Sequence, residues 1–395
     1  MIDQKITPPA FLSKGFEEGQ KKLAEKIKFL IYKTAPDLFS YLDFNNDDTF
    51  LNPYLFTYFV CEEKSLTLEQ ILIKNLVAFS NENEIEVYVN KEGVIELPGI
   101  GYLQTDVTNT KLTLRTESFP DSFDLTQRGK EIKYKFEPSM FVLNREIELS
   151  FYNNPYLNYF LTGSSNADSK FEIPFFSKTY IKEIENSFIL IKQHLPKYYS
   201  KLVKAVKRIV IYRHDMPFSF ASLGCHGTIF LNVPKNSNEI FFSEDLIHQG
   251  GHVIFNAISE TKNFMNISKE TLMVNLNNND RDTRNVFEVL HGIYTETWMN
   301  LFWNSCNEKN DFTQEMTFEM LGRFTYILTR FGYDLKGLSF ENIFSSMGEE
   351  LFKWFMDVYE SIVNHNYKLI SKYDISKQPY CFDLELFKKD NPRYI

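Results

Sequence analysis

The stretch FFSEDLIHQGGHVIFNAI, residues 241 to 258, carries two histidines four positions apart, His248 and His252. On an α-helix, positions i and i+4 lie one turn apart on the same face, so both imidazoles can reach one metal ion. This is the spacing of the H-E-x-x-H helix of zinc hydrolases, except that Gln249 replaces the glutamate. The stretch therefore predicts a gluzincin-like metal helix.

The glutamine changes the chemistry that such a helix can perform. In H-E-x-x-H hydrolases the glutamate accepts a proton from metal-bound water, whereas the side chain of Gln249 has no titratable group. If a third histidine joins these two, three neutral imidazoles leave coordination positions open and tolerate Fe(II). Oxygen chemistry with a carboxylate cosubstrate requires such a site. The residue types disfavour hydrolysis by the usual route and permit an iron oxygenase.

Two glycines, Gly250 and Gly251, lie between the histidines. Each costs a helix interior about 1 kcal/mol relative to alanine, so a packing or functional reason is expected. Close approach of a ligand to the helix backbone would explain the pair. Close crossing of a neighbouring helix would explain it equally well, and the sequence leaves both explanations open.

A third metal ligand is predicted from the later stretch VFEVLHGIYTETW, residues 286 to 298, which places His291 on a helix. Arg284 lies seven positions earlier, on the same helix face, where its guanidinium could hold a carboxylate near the ion. The other histidines show no such spacing and are predicted to be structural: His194, His214, His226 and His365.

The fold is predicted to be α+β. Alternating apolar residues between Glu84 and Phe151 predict a mostly antiparallel sheet, preceded by helices over residues 16 to 33 and 68 to 79. Turn residues cluster after the last predicted strand. We therefore predict an N-terminal α+β region over residues 1 to 152 and a mainly helical, metal-binding catalytic region over residues 153 to 395.

The second region is predicted to be dominated by helices. Residues 180 to 206 predict one long helix, and residues 207 to 214 and 227 to 233 predict strands. The remaining helices are predicted over residues 239 to 260, 284 to 303, 313 to 332 and 347 to 371.

Composition and charge exclude several classes of protein. The 395 residues are 43% hydrophobic and 24% charged, as in ordinary globular proteins, and the net charge of -9 disfavours a nucleic-acid partner. No stretch approaches the roughly 18 apolar residues of a membrane span, and no signal peptide is evident. The four cysteines form no C-x-x-C pair, so we expect a reduced, cytoplasmic protein.

Two stretches resemble the HExxH-motif family of peptide-modification proteins found with ribosomal peptide natural products. They are SEDLIHQGGHVIFNAI, 243 to 258, and DTRNVFEVLHGIYTETWMNLFW, 282 to 303. Family members show a V-H-E-x-x-H helix, a later D-P-R turn, and an L-x-G-[VI]-Y stretch ending in F-W. This chain departs from that pattern at Gln249 and at Thr283, which replaces the turn proline.

The resemblance implies an Fe(II)- and 2-oxoglutarate-dependent oxygenase that hydroxylates a side-chain β-carbon in a ribosomally made precursor peptide. It would make His248, His252 and His291 the iron ligands. Arg284 would be the clamp for the far carboxylate of 2-oxoglutarate, and Arg281 is a second arginine nearby. The oligomeric state does not follow from the sequence.

Two alternatives stay open from the residues. The first is a zinc metallopeptidase-like hydrolase that uses another acid, Glu288 or Glu296, as its base or fourth ligand. The second is a catalytically inactive relative that binds peptide. Metal content and turnover of 2-oxoglutarate would separate these alternatives from the oxygenase.

Overall fold

A computed structural model describes residues 6–76, 84–118, 122–150, 152, 156–162, 176–215, 218–277, 282–309 and 312–394. The predicted α+β class is confirmed, because long helices pack around several small sheets. None of the helices within these ranges is long and apolar enough to cross a membrane.

The first half of the described chain contains one long helix and four short ones, followed by strands. The helices are α1 (Phe11–Thr34), α2 (Pro36–Phe39), α3 (Asp47–Phe50), α4 (Pro53–Val60) and α5 (Leu68–Leu72). The strands are β1 (Glu84–Val89), β2 (Val94–Leu97), β3 (Gly101–Thr105), β4 (Thr110–Ser118), β5 (Ser122–Gln127), β6 (Lys130–Glu131), β7 (Tyr134–Pro138), β8 (Met140–Val142) and β9 (Ile147–Ser150). The predicted positions 77–79 and Phe151 lie outside the described residues.

The second half is helical apart from three strands among its described residues. Its first elements are α6 (Leu157–Thr162), α7 (Phe176–Thr179), α8 (Ile181–His194), α9 (Pro196–Ala205), β10 (Arg208–Tyr212), β11 (Phe220–Ala221) and β12 (Thr228–Asn232). They are followed by α10 (Glu239–Ser259), α11 (Val274–Asn277), α12 (Val286–Lys309), α13 (Gln314–Gly337), α14 (Ser346–Ile370) and α15 (Leu384–Asp390). The prediction of one long helix over residues 180 to 206 was wrong, because Pro196 starts a new helix and cannot donate the backbone bond that would continue α8.

The strands form three sheets instead of the single one predicted. The sheets β1-β4-β5-β6 and β2-β3-β7 are antiparallel, and Ile85 and Val87 pair with Leu114 and Leu112 as their alternation suggests. The third sheet, β11-β12-β10-β9-β8, is mixed, because β10 runs parallel to both β9 and β12. This sheet joins strands from both sides of residue 152, and the predicted division there stays a prediction.

A buried ion cluster connects two of these sheets. Arg208 on β10 is 2% exposed and donates to Glu148 on β9 at 2.6 Å and to Glu96 on β2 at 2.5 Å. The hydroxyl of Tyr54 also donates to Glu96, at 2.6 Å. Burial raises the pKa of Glu96, and Arg208 acts in the opposite direction. The guanidinium thus balances two carboxylates that would otherwise be buried without a counter-charge.

Helix α10 lies at the centre of the main hydrophobic core. It packs against α1, α8, α9 and α12, and it is buried on several sides, as its high content of apolar residues requires. The crossing with α1 is close: a Cβ on Gly19 would lie 1.8 Å from the carbonyl oxygen of Ala257. This crossing needs glycine at that position, because no other side chain fits between the two backbones.

Candidate functional site

Helix α10, which carries His248 and His252, begins with a defined cap. The side chain of Asn238 accepts hydrogen bonds from the backbone N–H groups of Ile240 and Phe241 at 2.9 and 3.3 Å. Ser243, a residue type that often caps helices, lies inside the helix and is fully buried. The cap starts the helix at Glu239, so both histidines lie in its middle, where the backbone is held on both sides.

Close helix packing accounts for the two glycines between the histidines. A Cβ on Gly250 would lie 2.0 Å from Cδ1 of Leu202 on α9. A Cβ on Gly251 would lie 2.8 Å from Cγ2 of Thr295 on α12. Of the two explanations that the sequence left open, the contacts favour the close crossing, and that crossing sets the distance between the histidines of α10 and α12.

The structure brings the three predicted metal ligands to the same place. The ring centroids of His248 and His252 are 5.0 Å apart, and those of His252 and His291 are 5.7 Å apart. The Nδ1 atoms of His252 and His291 lie 3.5 Å from each other. His291 is 7% exposed and is held by the rings of Phe255 and Phe287, with centroids at 4.6 and 4.5 Å.

Burial keeps these imidazoles neutral at pH 7. Burial lowers the pKa of His252 to about 4. It also lowers the pKa of His248 and of His291 well below 6.5, and the neighbouring His252 adds to both effects. A metal ion binds the neutral form of imidazole, so no proton has to leave before coordination.

The donor atoms fit a metal ion in part. Two nitrogens bound to one ion at about 2.1 Å each lie roughly 3.0–3.5 Å apart, close to the separation of His252 and His291. The Nε2 atom of His291 is buried without a hydrogen-bond partner among the described residues. As the side chains stand, however, no three His, Cys, Asp or Glu side chains in the described ranges could hold a metal ion together. The ligand types fit an ion, but binding would require a change in the orientation of these side chains.

The three histidines line a cavity of about 860 Å³. Helices α10, α12 and α13 form its wall on the histidine side. Residues 218–223 and 380–382, which are mostly irregular, complete the lining. The volume falls in the range of small-molecule and cosubstrate sites.

Arg284, the predicted carboxylate clamp, lines this cavity but already holds two carboxylates. Its guanidinium donates four hydrogen bonds of 2.8 to 3.0 Å, two to Asp282 and two to Asp334 on α13. Its side chain is 34% exposed. A third carboxylate would have to displace one of these partners. The second predicted arginine, Arg281, lies outside the described residues.

The two acids considered as alternative bases have different environments. Glu288 is exposed and accepts from the backbone N–H of Asn285 at 2.8 Å, while the Asn285 side chain accepts from the backbone N–H of Glu288 at 2.8 Å. This reciprocal pair caps the start of α12. Glu296 is 3% exposed, lines the cavity, and its Oε2 has no hydrogen-bond partner among the described residues.

The cavity lining contains further charged residues, including Asp245, Arg323 and Arg330, and the sequence analysis missed the two arginines. Asp245 accepts from the Ser219 hydroxyl at 2.5 Å, and burial raises its pKa to about 7. Arg323 and Arg330 project from α13 into the lining. Their spacing of seven on a predicted helix is the signal that could have identified them, because it places both on one face.

Comparisons with known proteins neither support nor contradict the resemblance described above. No family profile matches the chain. No curated protein matches it at a significant level. The proposals below therefore rest on the residues of this site and on the two stretches that suggested the family.

Proposed function

We propose that the protein is an Fe(II)- and 2-oxoglutarate-dependent oxygenase that hydroxylates a side-chain β-carbon in a ribosomally made precursor peptide. The observation that carries the proposal is the meeting of His248, His252 and His291, from two helices, on one wall of a cavity. The peptide substrate and the 2-oxoglutarate follow from the resemblance of the two histidine-bearing stretches to the HExxH-motif family.

The residues of the chain would provide the binding site and its environment. His248, His252 and His291 would hold the iron in their neutral forms, which burial favours. Bound Fe(II) and 2-oxoglutarate supply the oxidising chemistry that acts on the substrate carbon. Gln249 lines the cavity and is 2% exposed, so an uncharged carboxamide lies where a hydrolase would carry its base.

The cavity suits a side chain of a peptide. Aromatic rings line it on several sides, including Phe220, Phe241 and Phe287. Two further apolar residues of the lining, Phe218 and Leu223, are 36% and 42% exposed and lie where the cavity meets solvent. Aromatic rings of the lining would help to exclude water from the substrate carbon, and the charged residues of the lining would provide polar contacts.

A zinc hydrolase is the second candidate, and one observation favours it. The carboxyl group of Glu296 is buried in the same cavity and its Oε2 has no partner among the described residues. Such a group could serve as a general base if it lies within reach of a metal-bound water. Glu288 is less suitable for this role, because it caps α12.

The decisive experiment incubates the purified protein with Fe(II), 2-oxoglutarate, oxygen and a short peptide encoded beside its gene. We expect the peptide to gain the mass of one oxygen atom and succinate to form in equal amount. His291→Ala should abolish both products. The matched control is His365→Ala, because His365 lies on α14 with a side chain that is 49% exposed.

Other outcomes would point to the alternatives. Full turnover by the His291→Ala variant would rule out the proposed third ligand. Cleavage of the peptide with Zn(II) and without consumption of 2-oxoglutarate would favour the hydrolase. Peptide binding without either reaction, and with no binding of Fe(II), would favour a catalytically inactive relative.

A further inference from the structure

Three arginines of the described residues line the cavity, and two of them already donate hydrogen bonds to carboxylates. Arg284 donates four hydrogen bonds to Asp282 and Asp334. Arg323 donates to Glu319 and to Glu244, each at 2.9 Å, and lies between the rings of Phe241 and Phe382. Each of these two guanidiniums is therefore balanced by two acids before any ligand enters.

Arg330, in contrast, has guanidinium N–H donors that are not bonded to a carboxylate among the described residues. Its guanidinium donates from Nη1 to the carbonyl oxygen of Tyr380 at 3.0 Å, and the hydroxyl groups of Tyr326 and Tyr380 also interact with it. Its Nε lies 3.7 Å from Oε1 of Glu296, which is too long for a hydrogen bond. The rings of Tyr380 and Tyr326 lie 4.5 and 5.8 Å from the guanidinium carbon and fix its plane. A guanidinium has five N–H groups, so donors remain available to a ligand.

Glu296, which lies on α12, is the nearest acid paired with Arg330 of α13. Its side chain is 5% exposed, and its Oε2 faces no hydrogen-bond partner in the described part of the chain. Burial raises its pKa well above 4.5, and Asp334 adds to this effect, whereas Arg330 and Arg284 oppose it. In its protonated form the carboxyl group is a donor, so that Glu296 and Arg330 together present donors to the cavity.

We propose that Arg330 and Glu296 form a carboxylate-binding subsite of the cavity. A carboxylate would take paired N–H donors from the planar guanidinium and an O–H donor from the glutamic acid. Arg330 also lies close enough to the histidine wall for its charge to act on His248. A ligand held here therefore shares the cavity with the predicted metal ligands.

Two ligands could supply this carboxylate, and the experiment separates them. One is 2-oxoglutarate through its far carboxylate, and that identification rests on the proposed function. The other is an acidic side chain of the peptide substrate. The subsite itself requires neither the iron nor the oxygenase reaction.

The test is a set of dissociation constants measured by calorimetry without oxygen, in the presence of Fe(II). The probes are 2-oxoglutarate against 2-oxobutyrate, which lacks the second carboxylate, and the blocked tripeptide Gly-Asp-Gly against Gly-Asn-Gly. The variants are Arg330→Gln, Arg284→Gln and, as the control for loss of charge, Arg115→Gln, since Arg115 is 49% exposed on β4. Thermal unfolding of each variant reports whether it is folded.

We expect Arg330→Gln to weaken binding of one acidic probe about 10- to 100-fold while its uncharged or shorter counterpart binds as before. The affected probe identifies the source of the carboxylate. Glu296→Gln keeps a donor and should bind within a few-fold of the wild type, whereas Glu296→Leu should lose about tenfold. These two variants test the subsite even if Arg330→Gln does not fold.

The subsite is overturned if Arg330→Gln and Glu296→Leu bind both acidic probes as tightly as the wild type, or if the wild type binds neither. It is also overturned if Arg284→Gln alone loses binding, because the carboxylate would then exchange with Asp282 or Asp334. The proposed function is judged separately, by whether binding of 2-oxoglutarate to the wild type depends on Fe(II).

Discussion

Substitution of Gly251 by alanine tests the contact between α10 and α12 that places His252 beside His291. The new Cβ would lie 2.8 Å from Cγ2 of Thr295 and 3.1 Å from the hydroxyl oxygen of Tyr198. Carbon atoms in good contact lie about 3.5–4.0 Å apart, so both neighbours must move. Neither has room, because Thr295 is 0% and Tyr198 1% exposed.

The expected loss of stability follows from three effects. Overpacking of a core costs about 1–3 kcal/mol. The hydroxyl of Tyr198 donates to the carbonyl oxygen of Ile247 at 2.6 Å, and displacement of that buried bond costs about 1 kcal/mol more. Alanine returns about 1 kcal/mol through its higher helix propensity. We therefore expect the free energy of unfolding to fall by about 1–3 kcal/mol.

Urea unfolding followed by circular dichroism measures this difference. The matched control is Gly337→Ala, whose Cβ would make only an ordinary contact of 3.6 Å with Cε of Met273. The control should be up to about 1 kcal/mol more stable than the wild type, because it gains helix propensity without overpacking. If Gly251→Ala were as stable as the control, α10 and α12 would not approach as closely as described, and the placement of His252 beside His291 would lose its support.

Two further predictions concern buried charge. Arg208→Met leaves Glu96 and Glu148 buried without their cation and should lower the free energy of unfolding by about 3–5 kcal/mol. A loss under about 1 kcal/mol would show that the cluster is dispensable. Burial lowers the pKa of His226 to about 3. Below pH 6.5 the unfolded chain therefore binds a proton at this histidine and the folded chain does not. The free energy of unfolding falls as the pH falls. Between pH 7.5 and pH 5 the wild type should lose about 2 kcal/mol more than His226→Gln, as measured by urea unfolding at both pH values, and equal losses would contradict the assignment.

Local patterns in the sequence predicted the elements of this fold well. The 3.6-residue period located α10, α12, α13 and α14, and the alternation of Ile85, Val87 and Val89 located a strand with one buried face. These patterns depend on neighbours within a few positions, so they can be read from the chain directly. The break at Pro196 was also a local signal, and it was overlooked.

The pairing of strands and charges could not be read in the same way. The register of β9 with β10 joins residues about sixty positions apart, such as Glu148 and Arg208. The contact of Arg284 with Asp334 spans fifty positions. The predicted place of Arg284 on a helix face was wrong, because α12 begins only at Val286. Nothing near Arg284 in the sequence indicates that α13 would bring a second acid to it. For the same reason the availability of Arg330 is visible only in three dimensions.

The two sides of the cavity are built differently, and this difference bears on how the protein could acquire new substrates. The histidine side depends on α10, whose Gly250 and Gly251 pack against side chains of α9 and α12, so that almost any replacement disturbs the core. Other parts of the lining are largely irregular, residues 218–223 and 380–382, where the more exposed side chains, such as Phe218 and Leu223, can be exchanged at little cost to the fold. Diversification by natural or laboratory selection should therefore concentrate at these exposed positions and leave the histidine side unchanged.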